Sequence, residues 1–281
     1  MSGIVGLVNL DGAPVDGGLL ARMTSFLAFR GPDAQETWCS GSVGFGHAML
    51  RTTFEAERER QPCTLDGEVW LTADARVDAR DDLKRELEAA GRRDVKDATD
   101  ADLILHAYHA WGERCVEHLL GDFAFAIWDG RRRRLFCARD HFGVKPFYYA
   151  RAGGTLVFGN TLDCLRLHPC ISNTPDDLAI ADFLLFGYRC DVDTSFYADI
   201  HALPPAHYVI SDSKSTALTR YWAFPEEAIR RRRVREEYVE QFRHWLELAV
   251  HDRLRVPDGA VSMSGGLDST SVAAIARGQL A

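Results

Sequence analysis

The stretch Ala260-Val261-Ser262-Met263, followed by Ser264-Gly265-Gly266-Leu267-Asp268-Ser269-Thr270, constrains this chain more than any other. An apolar run, a Ser/Thr-rich glycine turn and an Ala/Val/Ile-rich continuation from Ser271 to Leu280 predict a buried strand, a tight turn and a helix packed on a sheet. The two glycines let backbone N–H groups approach an anion closely, and the helix N-terminus adds the positive end of its dipole. Ser264, Ser269 and Thr270 supply hydroxyl donors, Met263 and Leu267 flank the turn, and Asp268 is the candidate Mg²⁺ ligand beside the phosphates. The loop is not the P-loop of common NTPases, because no Gly-Lys-Ser/Thr follows it. The bland alternative is an ordinary Gly-Gly turn.

A length of 281 residues has room for two domains, or one and part of another. With 46% apolar and 26% charged residues the chain falls in the ordinary globular class. A net charge of −8 argues against broad binding to nucleic acid or an anionic membrane, and no apolar run approaches the ~18 residues of a membrane span. Seven cysteines, an odd number with no Cys-x-x-Cys spacing and no signal-peptide pattern before them, read as reduced packing thiols of a cytoplasmic protein. Arg131–Arg134, beside Asp129-Gly130 and between two apolar strands, is expected to be a solvated hairpin tip. Arg230–Arg233 is expected to open a long helix. Each run is also a candidate basic docking patch.

The first 224 residues are strand-rich. Strands are expected at Gly3–Leu10, Ser42–Ala48, Val69–Ala73, Phe123–Trp128, Leu135–Arg139, Pro146–Ala150, Leu156–Gly159, His207–Ser211 and Ala217–Trp222. Helices are expected at Gly17–Phe29, Asp78–Gly91, Thr99–Trp111 and Asp176–Phe186, with Thr99 as a cap. Pro225 marks a boundary. Beyond it Val239, Phe242, Leu246, Ala249 and Val250 recur at helical spacing, widened by Trp245 and Leu248, and predict a core-facing stripe.

Start and end together resemble a known family. Met1-Ser2-Gly3-Ile4-Val5-Gly6, Arg30-Gly31-Pro32-Asp33, Phe123–Asp129 and Ala138–Pro146 look like the asparagine synthetase family, and the Ser264–Thr270 loop resembles the pyrophosphate-binding loop of ATP-pyrophosphatases. The resemblance implies an α+β chain: a four-layer αββα Ntn-type glutamine amidotransferase domain over residues 1–224, then the start of a parallel-sheet α/β ATP-pyrophosphatase domain over 225–281. It implies ATP and Mg²⁺ as ligands, with Met263–Thr270 at the pyrophosphate.

In that family an N-terminal cysteine, exposed when Met1 is removed, hydrolyses glutamine, its free amine assisting the thiol. Ser2 stands at that position here. The arginine that grips the glutamine carboxylate falls at Met49, with Arg51 two residues later and on the same strand face. The Asn-Gly-Glu of the oxyanion hole is read as Ala73-Asp74-Ala75, and Asp100 matches the acid that meets the glutamine amine. The expected result is a degenerate glutaminase site, since losing one oxyanion donor costs roughly 3–4 kcal/mol in the transition state.

β-Lactam synthetases and lasso-peptide cyclases work without glutaminase activity, an amine of the same substrate displacing AMP from an adenylated carboxylate. The sequence is expected to follow them in adenylating a small-molecule or peptide carboxylate for lactam or isopeptide formation. Asparagine synthesis from aspartate with ammonia or glutamine is the alternative, and a non-catalytic interaction scaffold a second one. The family's ATP domain runs on for roughly 200 residues more. The chain is therefore expected to be a fragment, a truncated product or one half of a split enzyme partnered by a separately encoded C-terminal half.

Overall fold

The computed structural model describes residues 1–224, 234–256 and 258–280; Pro225, the Arg230–Arg233 run, Pro257 and Ala281 lie outside them. The chain divides into two compact units, Met1–Ala223 and Phe224–Ala281.

The first unit contains strands β1 (Gly3–Asn9), β2 (Ala34–Ser40), β3 (Val43–Met49), β4 (Cys63–Thr64), β5 (Val69–Asp78) and β6 (Leu120–Asp129). It continues through β7 (Arg134–Arg139), β8 (Tyr148–Ala152), β9 (Thr155–Gly159), β10 (Ile200–Ala202), β11 (His207–Ser211) and β12 (Thr216–Arg220). Its helices are α1 (Gly17–Phe26), α2 (Arg80–Ala89), α3 (Asp100–Trp111), α4 (Leu162–Leu165) and α5 (Asp177–Phe186). The strands form two antiparallel six-stranded sheets, ordered β10-β8-β9-β1-β3-β2 and β12-β11-β7-β6-β5-β4.

Strand alternation assigns each face. Ile4, Phe45, Ala124, Leu135 and Phe158 fill the space between the sheets. On the outside of the first sheet, Val5 and Leu7 cluster with Leu20 and Met23 of α1 and Cys164 of α4. On the outside of the second, Leu71, Ala73 and Phe125 cluster with Leu83 and Leu87 of α2 and Leu103 of α3. The result is helix, sheet, sheet, helix. Close approach of α1 to β3 depends on Gly46, where a Cβ would lie 2.0 Å from Thr24 Oγ1. Thr99 caps α3 through a reciprocal box: its Oγ1 accepts from Asp102 N at 3.2 Å, and Asp102 Oδ2 accepts from Thr99 N at 3.0 Å.

β2 carries no sequence signal because it is a polar, mostly exposed edge strand, Ala-Gln-Glu-Thr-Trp-Cys-Ser. β5 runs five residues past its expected end at Ala73, because Asp74, Arg76 and Asp78 break the apolar pattern while the backbone stays paired to β6.

The second unit contributes α6 (Arg235–Arg253) and α7 (Leu267–Leu280). Two expectations fail here. Ala260–Met263 is not a buried strand: it joins no ladder, and Val261 and Met263 are 41% and 57% exposed. A parallel strand needs a neighbour to pair its backbone, and the described residues of this unit form helices and connecting segments. No parallel sheet of an ATP-pyrophosphatase domain is present among the described residues. Of the expected stripe, Val239, Phe242, Trp245, Leu248 and Ala249 are exposed rather than core, Phe242 at 69%, while Leu246 is half-buried and Val250 is buried. A lone helix pair has too narrow a seam to cover so wide an apolar face.

Candidate functional site

Ser2 lies at the head of β1 and is buried. Its position is set by backbone and side chain alike. Ser2 N donates to Asp74 Oδ1 at 3.2 Å, its carbonyl accepts from Asn160 Nδ2 at 2.8 Å, and its hydroxyl accepts from Leu50 N at 3.1 Å. Asn160 Oδ1 also accepts from Ile4 N at 3.2 Å, so one side chain fixes the whole start of the strand. Lys145 Nζ donates to the same Asp74 Oδ1 at 2.9 Å, and the two side chains are only 11% and 4% exposed. Asp74 Oδ2 is buried without a hydrogen-bond partner among the described residues. Burial lowers the Met1 α-amine below its usual range, while Asp74 acts in the opposite direction.

Two loops hold this arrangement. In Arg139–Lys145 the Asp140 carboxylate accepts from the backbone N–H of Phe142, Val144 and Lys145, at 2.9–3.1 Å. The Arg139 guanidinium meanwhile binds the carbonyls of Lys145, Gly143 and Leu203 at 2.6–2.7 Å. The loop is wound around its own charged pair, and this aims Lys145 at Asp74. In the Arg30–Asp33 turn, Arg30 Nε reaches Thr161 Oγ1 at 2.7 Å and Asp33 Oδ2 accepts from Arg51 N at 2.7 Å. Gly31 is required here, since a Cβ would stand 2.0 Å from the Ala48 carbonyl oxygen.

Two sequence assignments change. Ala73 and Ala75 point away from Ser2, into the cluster under α2 and α3; Asp74 is the β5 residue brought to Ser2. The Ala73 carbonyl serves buried His47 Nε2 at 3.1 Å and Gln61 Nε2 at 3.1 Å instead. Side chains on successive strand residues point to opposite faces, so Ala73 and Ala75 turn away while Asp74 meets Ser2. Arg51 is not on the strand face of Met49, because β3 ends at Met49; its guanidinium binds the carbonyls of Asp33 and Ala56 at 3.2 and 3.3 Å. Asp100 opens α3 and is ion-paired with Arg80, both side chains nearly buried. Lys145 lay within a quoted motif without a role, and Asn160, 158 residues from Ser2, gave no sequence signal at all.

At the second candidate site, the predicted turn opens α7 four residues earlier than expected, at Leu267. Gly265 adopts φ +80°, Ser264 and Ser269 Oγ lie 3.2 Å apart, and Thr270 Oγ1 donates to the Gly266 carbonyl at 2.7 Å. These hydroxyls stand exposed at the start of a 14-residue helix. Asp268 stands alone: among the described residues no three His, Cys, Asp or Glu side chains gather as a metal site. A Mg²⁺ ion here would need phosphate oxygens as its other ligands.

The chain compares with known proteins as follows. The glutamine-hydrolyzing asparagine synthetase 3 of Bacillus subtilis strain 168 is 34% identical over 283 residues, covering 99% of this chain and 45% of that protein. Glutamine-hydrolyzing asparagine synthetase 2 of the same organism is 28% identical, covering 97% and 38% respectively. Among solved structures, the glutamine phosphoribosylpyrophosphate amidotransferase of B. subtilis superposes with a TM-score of 0.54 over 78% of this chain and 49% of that one, at 15% identity, a likeness of fold. The chain thus spans less than half the length of these relatives. Residues 1–222 match the glutamine amidotransferase domain family, and the chain belongs to that family.

Proposed function

We propose that this chain is the amidotransferase-type portion of an ATP-dependent, amide-forming enzyme of the asparagine synthetase kind. Amidation of aspartate, with nitrogen from ammonia or glutamine, takes precedence over lactam or isopeptide formation because the relatives carry asparagine synthetase names. The observation that carries this reading is the reach of the similarity. It covers 99% of the chain, past residue 222 where the amidotransferase match ends, and so includes the Ser264–Thr270 loop. On this reading residues 225–281 begin an ATP domain, Met263–Thr270 hold the ATP phosphates, and Asp268 holds Mg²⁺ with them. Bound ATP would supply the adenylyl group that activates a carboxylate, with Mg²⁺ neutralising phosphate charge.

The nitrogen source follows from the first site. Hydrolysis of glutamine needs a nucleophile, a base and donors aimed at a developing oxyanion. Ser2 offers a hydroxyl whose hydrogen-bonding partner is a donor, Leu50 N, and the nearest β5 side chain is a carboxylate. A negative group there opposes an oxyanion, which supports free ammonia as the nitrogen donor. The test is aspartate-dependent AMP formation by the protein together with whatever C-terminal part its gene or neighbours encode, offered ammonia and glutamine separately. Activity with ammonia that is lost in Asp268→Ala supports both parts. Glutamine-driven activity abolished by Ser2→Ala would overturn the ammonia reading, and no AMP under any condition would overturn the ligase.

A further inference from the structure

The Arg131–Arg134 run covers the turn between β6 and β7 and the first residue of β7, and three of its members are engaged with acids. Arg131 pairs with Asp66 at 2.9 Å, Arg134 with Glu113, and Arg132 lies 3.8 Å from Asp129 and 4.0 Å from Glu113. Arg133 has no ion pair or side-chain hydrogen bond among the described residues. It also adopts φ +50°, a left-handed backbone that costs a non-glycine residue about 1 kcal/mol, so turn geometry by itself favours glycine there.

Arg133 lines a cavity of about 270 Å³ between the two sheets. Its walls come from the end of β1 at Asn9, from Trp128 of β6, from Arg132 and Arg133, and from the β11–β12 turn at Asp212 and Lys214. β1 leads from Ser2 to this place, so the two sites lie about 20 Å apart at opposite ends of the sandwich. Lys214, like Arg133, makes no ion pair within 4.0 Å and no side-chain hydrogen bond among the described residues, and only the Asp212 carboxylate attracts it. Asp212 offsets part of this charge: its carboxylate accepts from Lys214 N at 2.7 Å and Ser215 N at 2.8 Å, closing its own turn, and attracts the Lys214 ammonium. Those backbone bonds hold its pKa below the usual carboxylate value. The cavity lining therefore sets three cations, Arg132, Arg133 and Lys214, against the single carboxylate of Asp212, beside one indole wall.

We infer that this cavity is a second binding site, for a small metabolite bearing an oxyanion, phosphate or carboxylate, gripped by Arg133 and Lys214 with the Trp128 indole against its apolar part. The volume falls just below the range of about 300–1,000 Å³ usual for drug-sized ligands, which argues for a small acid or phosphate ester rather than a whole nucleotide. Binding of this kind weakens with ionic strength.

The experiment titrates the full chain with inorganic phosphate and, separately, with succinate at low salt, following tryptophan fluorescence and heat. The expected result is saturable binding of at least one probe, at least tenfold weaker in Arg133→Ala/Lys214→Ala and unchanged in Arg131→Ala. Phosphate alone identifies a phosphate site and succinate alone a carboxylate site; both together identify the shared oxyanion. The Lys214 backbone N–H, not its side chain, holds the Asp212 turn, so truncation leaves the turn intact. Should the alanine pair unfold early, Arg133→Gln/Lys214→Gln keeps the stems without the charges and gives the same readout. No saturable binding of either probe, or binding undiminished in the double variant, overturns the inference.

Discussion

His47 shows how one buried side chain ties stability to pH. It is fully enclosed, and burial lowers its pKa to about 4 despite the bond to the Ala73 carbonyl. The folded protein keeps it neutral where the unfolded chain, near 6.5, already binds a proton. Its contribution is complete above about pH 6.5 and is lost as pH falls towards 4, by about 3 kcal/mol in all. Urea midpoints measured from pH 7 to 4 should fall more steeply for the wild type than for His47→Gln; parallel slopes would refute this. Asp74 is the second such residue. Asp74→Ala would leave the Lys145 ammonium buried without its carboxylate and should cost about 3–5 kcal/mol, whereas Asp74→Ala/Lys145→Met should recover much of that loss. Equal destabilisation of the single and double variants would show that the ion pair is not the cause.

At the scale of the element, two short motifs do different work. Thr99 and Asp102 cap α3 reciprocally, and Thr99→Ala should lower stability by about 1 kcal/mol, read as a shifted midpoint with an unchanged denaturant slope. Gly31 is a matter of space, since the Ala48 backbone lies where its Cβ would be. Gly31→Ala should cost about 2–3 kcal/mol, against about 1 kcal/mol for Gly41→Ala, where nothing crowds a Cβ but the φ of +55° strains any non-glycine residue. A Gly31→Ala variant as stable as the wild type would mean that the turn and β3 can separate freely. Legibility at this scale followed burial. Helices and core strands, whose apolar residues recur at fixed steps, could be read directly; β2 could not, because an exposed polar edge has no such period.

For the whole molecule, connectivity matters more than any single contact. β1 lies between β9 and β3 in the middle of the first sheet and also carries Ser2 at its head. Removing residues 1–9 should therefore abolish cooperative unfolding, because it strips both neighbours of their partner and opens the core at Ile4 and Val8. A sharp thermal transition in that variant would overturn this view. Local periodicity, caps and turn residues were enough to set the α+β class, the order of most elements and the glycine turn at Ser264–Gly266. Tertiary structure alone decided that Asp74 rather than Ala73 faces Ser2, that Lys145 and Asn160 join them, and that most of the α6 stripe and Ala260–Met263 stay exposed. The physical reason is that strand register and burial depend on the partner an element finds, often more than seventy residues away, and no local pattern encodes that partner.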